Sequence, residues 1–187
     1  MNKDQLIIAT ALKLFAENGF HGTATGRIAQ EAGVANGTLF NYFATKEILI
    51  VSIYNSIVKK MDDFIIESIE SHSVSKESFR SLFIASLQWN LKNTIEFQYL
   101  QQFNNSPYSK STITRALSND EHPLYVLIQK GIDLVLLKPM PVAYIFSLFN
   151  AQINGLYYYL ISENLTEDQS TELFTETFEL LWKIIED

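Results

Sequence analysis

The sequence predicts an all-α protein of about nine helices, in which a three-helix N-terminal part precedes a larger helical body. Apolar residues recur at helical spacing, as Ile7, Ala11, Leu14 and Phe15 show in the first predicted helix. Residue types that cap helices, such as Ser75, stand at the polar breaks between apolar segments. Apolar residues make up 47% of the chain and charged residues 19%, which is typical of a globular protein.

The first helix is predicted over residues 3–18. Gly19 follows it, and glycine commonly ends helices because it adopts left-handed backbone angles without a Cβ clash. We expect Phe20 to fold back onto Phe15 after this glycine. The helix would then support the two short helices that come next.

Two short helices joined by a tight turn are predicted between residues 23 and 46. Thr25 is a candidate N-cap for the first of them, and Gly33 ends it, with Val34 supplying the hydrophobic contact that usually accompanies such an end. The second helix is predicted over residues 36–43. The apolar side chains of the pair are expected to point inwards: Ile28, Ala29, Ala32, Leu39 and Phe43.

This spacing is that of a helix-turn-helix, whose second helix enters the major groove of DNA. Asparagine can form two hydrogen bonds with adenine, and the methyl group of threonine can pack on that of thymine. A glycine would let the backbone come close to the DNA. The outward positions of the second helix would be Asn36, Gly37, Thr38, Phe40, Asn41 and Tyr42.

The same stretch resembles the DNA-binding domain of the TetR (tetracycline-repressor) family of bacterial transcription regulators. The resemblance covers about the first quarter of the chain. It is carried by Gly19-Phe20, Thr25, Ile28-Ala29, Ala32-Gly33-Val34, Gly37-Thr38-Leu39, Tyr42-Phe43, Lys46-Glu47 and Leu49. It implies that the DNA contacts come from Thr25, Asn36, Gly37, Thr38, Phe40, Asn41, Tyr42 and Lys46.

Three positions depart from the family pattern. Ala35 stands where serine is frequent, Asn36 where lysine is common and Phe40 where tyrosine is usual. Each change removes a hydroxyl or a charge that could reach a phosphate, so we expect weaker contacts to the DNA backbone. The alternative interpretation of the whole stretch is an ordinary helical hairpin that binds no nucleic acid.

The remaining elements are predicted from apolar periodicity and cap residues. Thr45 is a candidate cap for a long helix that begins at Lys46, and Ser75 and Thr94 are candidate caps for two later helices. Thr166 and Gln169 have the spacing of a capping box. The predicted helices are 46–71, 76–92, 95–103, 124–137, 142–163 and 166–186, with polar or proline-containing breaks at 71–75, 104–112, 121–123 and 138–141.

The last two helices carry more apolar surface than one core requires. The final helix has one stripe of Leu173, Leu180 and Ile184 and another that includes Phe178 and Leu181. The surplus predicts a homodimer through residues 142–163 and 166–186, with a four-helix interface on a twofold axis. TetR-family proteins dimerise in this way. The alternative is a large aromatic core in a monomer.

A ligand pocket is predicted in the body because polar groups interrupt otherwise apolar helices. Its candidate residues are Trp89, Phe103, Tyr125, Gln129, Asn150, Asn154 and Tyr158. The sparse charge of the region favours a small, hydrophobic, neutral or cationic effector. Alternatively, the polar groups face solvent or bond across the dimer interface.

Composition limits the other functions. The net charge is −7, but residues 1–46 carry four basic and three acidic side chains, so an acidic body follows a nearly neutral N-terminal part. The chain has no cysteine, no apolar run that could span a membrane and no secretory signal, which predicts a cytoplasmic protein. Catalytic motifs, a metal site and a cofactor site are all absent from the sequence, and we expect no enzyme.

The sequence therefore predicts a DNA-binding domain over residues 1–46 and a ligand-binding and dimerisation domain over 47–187. The function expected is that of a ligand-responsive repressor that binds a palindromic operator as a homodimer. The alternative is a protein-interaction factor of the same fold that uses DNA as a scaffold and senses no small molecule.

Overall fold

The computed structural model describes residues 2–68, 73–110, 123–163 and 165–187. Nine helices are assigned within these ranges, and the predicted all-α class is confirmed. They are α1 (Lys3–Gly22), α2 (Thr25–Glu31), α3 (Asn36–Tyr42), α4 (Lys46–Ser68), α5 (Lys76–Lys92), α6 (Thr94–Asn104), α7 (Pro123–Asp133), α8 (Val142–Ser162) and α9 (Glu167–Ile185). Parts of the predicted breaks at 71–75, 104–112 and 121–123 lie outside the described residues.

The first of two compact units consists of residues up to 60 together with residues 93–110. It holds α1, α2, α3, the first part of α4, and α6. Helix α6 packs along α1, and its Tyr99 donates a hydrogen bond of 2.8 Å to the carbonyl oxygen of Ile50 in α4. Burial raises the pKa of the Tyr99 hydroxyl above its ordinary value. Gln102 adds a 2.9 Å bond to the carbonyl oxygen of Ala16, so α6 links α1 to α4 within this unit.

The second compact unit consists of the described residues from Met61 to Lys92 and after residue 122. Its core is aromatic, with fully buried phenylalanines from α5, α8 and α9 at Phe79, Phe83, Phe149 and Phe178. At the edge of this core, Glu179 of α9 accepts hydrogen bonds from Lys76 and Arg80 of α5. These contacts, with the Lys76 bond as the larger cause, hold the pKa of Glu179 below its ordinary value. The predicted boundary at residue 46 stays a prediction.

Several predicted helix ends are confirmed. Gly19 adopts φ of +74° inside α1, and the Phe20 ring packs edge-on against Phe15 with ring centroids 5.3 Å apart. Thr45 accepts a bond from the N–H of Ile48 at 3.1 Å, and Ser75 accepts one from Ser78 at 3.3 Å. The capping box of Thr166 and Gln169 is also present.

Two predicted caps are wrong by one residue. Thr25 is the first residue of α2, whose N-cap is Ala24, and Thr94 is the first residue of α6, whose N-cap is Asn93. Neither N-cap makes a side-chain hydrogen bond to its helix. Packing of the buried faces therefore decides where these helices begin, and side-chain capping does not.

The end of α7 is also corrected. The prediction extended this helix to Leu137, but it ends at Asp133, and Val135 takes left-handed angles with φ of +56°. The N–H of Leu136 bonds to the carbonyl oxygen of Gly131 at 2.9 Å, which closes the turn. Leu137 is then buried against Gly131, where a Cβ atom would lie 2.9 Å from the Leu137 side chain. Burying Leu137 explains why the helix stops early.

Candidate nucleic-acid interface

The turn between α2 and α3 is a Schellman motif. The N–H of Val34 bonds to the carbonyl oxygen of Ala29 at 3.0 Å, and the N–H of Gly33 bonds to that of Gln30 at 3.1 Å. Gly33 has φ of +67°, a conformation that costs other L-residues free energy. The motif satisfies carbonyl groups at the end of α2 and fixes the direction in which α3 begins.

The inner faces of α2 and α3 are buried as predicted. Ile28 and Leu39 are completely buried, Ala29 is 2% exposed and Phe43 is 7% exposed. Because these side chains occupy one side of α3, its other side is presented to solvent. The helix-turn-helix geometry therefore follows from ordinary core packing.

The candidate reading face lies on the exposed side of α3. Asn36, Gly37, Phe40, Asn41 and Tyr42 are all exposed there, and Thr38 is half-buried. Within the described part of the chain, the side chains of Asn36, Asn41 and Tyr42 make no hydrogen bond. Their donors and acceptors are therefore available to an external partner.

Two further predicted DNA contacts, Thr25 and Lys46, flank this face in sequence. Thr25 is half-buried at the start of α2, and Lys46 is half-buried at the start of α4. The Nζ atom of Lys46 lies 5.9 Å from the centroid of the Phe15 ring. Burial lowers the pKa of Lys46 from its ordinary value. The stem of Lys46 is thus held by the core of the first unit, which limits the positions that its ammonium group can reach.

One residue of this unit was missed by the sequence analysis. Thr23 is completely buried, and its hydroxyl lies within donating distance of two carbonyl oxygens of α1, 3.1 Å from that of Leu14 and 2.9 Å from that of Gly19. It therefore connects the kink of α1 to the start of α2. The only signal in the sequence was a threonine placed just after the Gly19–Gly22 segment.

The candidate interface carries little free positive charge. Arg27 on α2 is paired with Glu31 at 2.7 Å, and both side chains are exposed. An exposed pair of this kind can open at small cost, so Arg27 could exchange its carboxylate partner for a phosphate.

The predicted ligand residues do not surround one cavity. The second unit has a cavity of about 60 Å³, and Asn150 is the only predicted residue that lines it, near Ser86, Asn90 and Phe146. Small-molecule sites usually have volumes of about 300–1,000 Å³. The cavity could therefore accept an effector only after it widened.

The other predicted ligand residues lie elsewhere. Phe103 is buried in the first unit, where its ring stacks on Tyr54 with centroids 4.1 Å apart. In the second unit, Gln129 is exposed and donates to Asp133, and Tyr158 is 51% exposed. The remaining three are buried or half-buried in that unit: Trp89, Tyr125 and Asn154.

The last two helices expose an apolar surface. Phe178, Leu181 and Ile185 of α9 are buried, whereas Leu180 is 61% exposed and Ile184 is 46% exposed. Helix α8 exposes apolar or aromatic side chains as well: Tyr144, Tyr158, Tyr159 and Ile161. Of the two predicted stripes of α9, one fills the core and the other faces solvent. We call the exposed residues of these two helices the α8–α9 face.

Comparison with known proteins finds a family match in the N-terminal part of the chain. The model of the family described as bacterial regulatory proteins, tetR family, matches residues 7–53, which include α2, α3 and the turn between them. Residues 7–53 are thus a TetR-type segment, and the chain as a whole has the fold of a regulator of that family. A TetR-family transcription regulator from Shewanella sp. PV-4 has the same fold with a TM-score of 0.91, at 28% identity and over 100% of both chains.

Two proteins of Bacillus subtilis provide further comparisons. The fatty acid metabolism regulator protein is 35% identical over 71 residues, which are 38% of this chain and 37% of that protein. The transcriptional regulator FadR, solved in complex with stearoyl-CoA, is 20% identical with a TM-score of 0.77 over 95% of this chain and 96% of that one. The second likeness shows the fold alone. The proteins that this chain resembles are transcription regulators, and the matched stretch spans 37% of the length of the first of these two.

Neither a membrane-spanning helix nor a metal-binding cluster is found among the residues that the structure describes. No helix there is both long and apolar enough to cross a lipid bilayer. No group of three or more histidine, aspartate or glutamate side chains in those ranges is placed to hold a metal ion.

Proposed function

We propose that this protein is a ligand-responsive repressor of the TetR family that acts in the cytoplasm as a homodimer on a palindromic operator. The observation that carries the proposal is the exposed side of α3, whose polar side chains have no partner in the described structure while its apolar side is fully buried. Each of two chains would place α3 in the major groove, in grooves about 34–36 Å apart or a multiple of that distance.

Each exposed residue of α3 has a defined role in this proposal. Asn36 and Asn41 would hydrogen-bond to base edges, and Thr38 would pack against a thymine methyl group. Phe40 and Tyr42 would contact the sugar-phosphate backbone and the groove wall. Gly37 would allow the helix backbone to approach the DNA closely.

Phosphate contacts would come from the flanking helices. Thr25 would contribute its hydroxyl and Lys46 its ammonium group, at the starts of α2 and α4. These contacts would set the position of the protein on the duplex but would carry no sequence information. With few basic residues near α3, we expect a weak dependence of binding on salt.

The α8–α9 face would form the homodimer. Its exposed apolar residues include Leu180, Ile184, Tyr144 and Tyr158. A stable interface usually buries about 800 Å² on each partner and is enriched in aromatic residues. Two copies of α8 and α9 would make the four-helix arrangement that the sequence predicts.

Control by an effector would use the second unit. Helix α4 begins beside α3 in sequence and continues through residues of both compact units. An effector that widened the 60 Å³ cavity beside Met61 and Ile65 of α4 would move this helix. The effector would release DNA only if its affinity were higher for the form of the protein that cannot bind DNA than for the form that can. The stearoyl-CoA complex of the Bacillus subtilis regulator supports a hydrophobic effector.

The small size of the cavity also favours the second candidate function. In that case the protein would bind another protein while on DNA and would sense no small molecule. A thermal-shift screen separates the two functions. Stabilisation by a hydrophobic compound supports the repressor, and the absence of any stabilising compound supports the interaction factor.

The main proposal is tested by selecting duplexes from a random library and measuring the affinity for the enriched sequence. We expect Asn36→Ala and Tyr42→Ala to lower the affinity for that sequence by about tenfold, a loss of ~1.4 kcal/mol. Lys46→Ala should weaken binding to every duplex and reduce the salt slope by about one. Gln98→Ala, an exposed change on α6, is the control and should bind like the wild type. If all three variants bind like the wild type, α3 is not the reading helix.

A further inference from the structure

The first unit contains a groove of about 550 Å³ between α1, α4 and the beginning of α6. Its apolar surface comes from Ile8 and Leu12 of α1 and Ile95 of α6. Ile95 is 44% exposed at the start of α6, so its side chain is accessible to a ligand. The volume is within the range of small-molecule sites, whereas the second-unit cavity is far smaller.

Three charged side chains line this groove. Lys13 of α1 and Lys60 of α4 are exposed, and Glu96 of α6 is half-buried. No ion pair or hydrogen bond engages any of these three side chains within the ranges that the structure describes. The groove therefore carries a net charge of +1 in a protein whose net charge is −7. This combination fits a molecule with an apolar body and one negative group.

The position of the groove argues against a DNA phosphate as its occupant. Lys60 is 14 residues after Lys46 on the same helix. At a rise of 1.5 Å per residue, about 21 Å separates the groove from the start of α4. The proposed reading face and its phosphate contacts are therefore far from Lys60.

The lining argues against a protein partner. None of the residues that line the groove is aromatic, although aromatic side chains are enriched at protein interfaces. The five lining residues of α1 fall between Gln5 and Lys13, a length of about 12 Å along the helix. Such a short, concave surface matches a small molecule better than a second chain.

We propose that the groove of Ile8, Leu12, Ile95, Lys13 and Lys60 is a binding site for a small amphipathic monoanion, such as a medium-chain carboxylate. Its hydrocarbon body lies on the aliphatic side chains, and its carboxylate lies between the two ammonium groups. The site is separate from the second-unit cavity and is formed by described residues of the first unit alone.

Direct titration calorimetry without DNA tests this site, so the result does not depend on the proposed function. The probes are decanoate below its micelle concentration, uncharged decanol and cationic decylamine. We expect saturable binding of one decanoate per chain and weaker binding of the other two compounds. Each exposed ion pair contributes a modest part of the affinity, so Lys13→Gln with Lys60→Gln should together lower it by about tenfold.

Two further variants make the test sharper. Glu96→Gln removes the one negative group and should raise the affinity by about threefold, a change in the opposite direction. Ala9→Trp places a large side chain in the groove and should abolish binding, with circular dichroism confirming that the variant is folded. Lys3→Gln removes a charge from the same helix outside the groove and is the matched control.

Three outcomes would overturn the proposal. One is that decanoate shows no saturable binding. Another is that decanol or decylamine binds as tightly as decanoate. The third is that binding persists in both Ala9→Trp and the double lysine variant, which would locate it elsewhere in the chain.

Discussion

At the residue scale, Thr23 shows how one buried hydroxyl stabilises the chain next to a helix kink. The kink at Gly19 interrupts the hydrogen-bond pattern of α1, and Thr23 lies at hydrogen-bonding distance from the carbonyl oxygens of Leu14 and Gly19. The Leu14 carbonyl also accepts a bond of 3.0 Å from the Asn18 side chain, so the Thr23 hydroxyl adds to the bonding at this kink and is not its only donor. Thr23 therefore stabilises the connection between α1 and α2.

Thr23→Val should lower the free energy of unfolding by about 0.5–1.5 kcal/mol because it keeps the shape and removes the donor. Thermal unfolding followed by circular dichroism measures the change. Thr10→Val, within α1, is the matched control, since the half-buried Thr10 makes no side-chain hydrogen bond in the described structure. Equal effects of the two substitutions would show that the Thr23 bonds contribute nothing.

The sequence could predict residues whose role depends on neighbours along the chain. Gly19, Gly33 and Thr45 act on backbone groups within a few positions, so residue type and spacing were sufficient. Thr23 bonds to Leu14, nine residues away, and that carbonyl accepts the bond only because the helix kinks. Such a role depends on tertiary structure and has no local signature.

At the element scale, two glycines of the helix-turn-helix have opposite structural roles. Gly33 has φ of +67° at the end of α2, where a side chain would be strained. Gly37 lies inside α3, and a Cβ atom added there would meet no atom within 4 Å. The fold therefore requires Gly33 but does not require Gly37.

Gly33→Ala should destabilise the protein by about 1–2 kcal/mol, the cost of a left-handed L-residue. Gly37→Ala should stabilise it by about 0.5–1 kcal/mol because alanine is the better helix former. We expect Gly37→Ala nevertheless to weaken DNA binding, since the added methyl group separates α3 from the duplex. Chemical denaturation and fluorescence anisotropy measure the two effects. If Gly37→Ala binds DNA as well as the wild type, the proposal that the α3 backbone approaches the DNA closely at Gly37 is wrong.

Element boundaries show the limit of local sequence signals. Helix α7 was predicted to reach Leu137 because apolar periodicity continues to that residue. The chain instead turns at Val135 so that Leu137 is buried against Gly131 and pairs with Glu186 beyond α9. A contact between residues almost fifty positions apart therefore overrides the local pattern.

At the scale of the whole molecule, the last two helices expose apolar side chains that their own core does not bury. The sequence predicted two apolar stripes on α9, and the structure buries one and exposes the other. The ligand residues were harder to predict, because buried and exposed polar groups look alike in a sequence. Gln129 and Asn150 both interrupt apolar helices, but only Asn150 lines the cavity.

Leu180→Glu with Ile184→Glu should make the protein monomeric at concentrations where the wild type is a dimer. Burying a carboxylate without a partner is costly, so the α8–α9 face could no longer associate. Sedimentation velocity measures the change, and operator binding should be lost with it. Ile66→Glu, at an exposed isoleucine of α4, is the matched control. A double variant that stayed dimeric would place the interface on another surface.

The central claim is that α3 of each of two chains lies in the major groove. The chain has no cysteine, so Ala44→Cys, at an exposed position just after α3, creates a single site for an iron-chelate reagent that cleaves nearby DNA and leaves the proposed base contacts in place. We expect two clusters of cleavage on the selected operator, related by twofold symmetry and separated by about 10–10.5 base pairs or a multiple of that spacing. Lys130→Cys, on α7, should give no clusters. A single cluster, or uniform cleavage from Ala44→Cys, would contradict the claim.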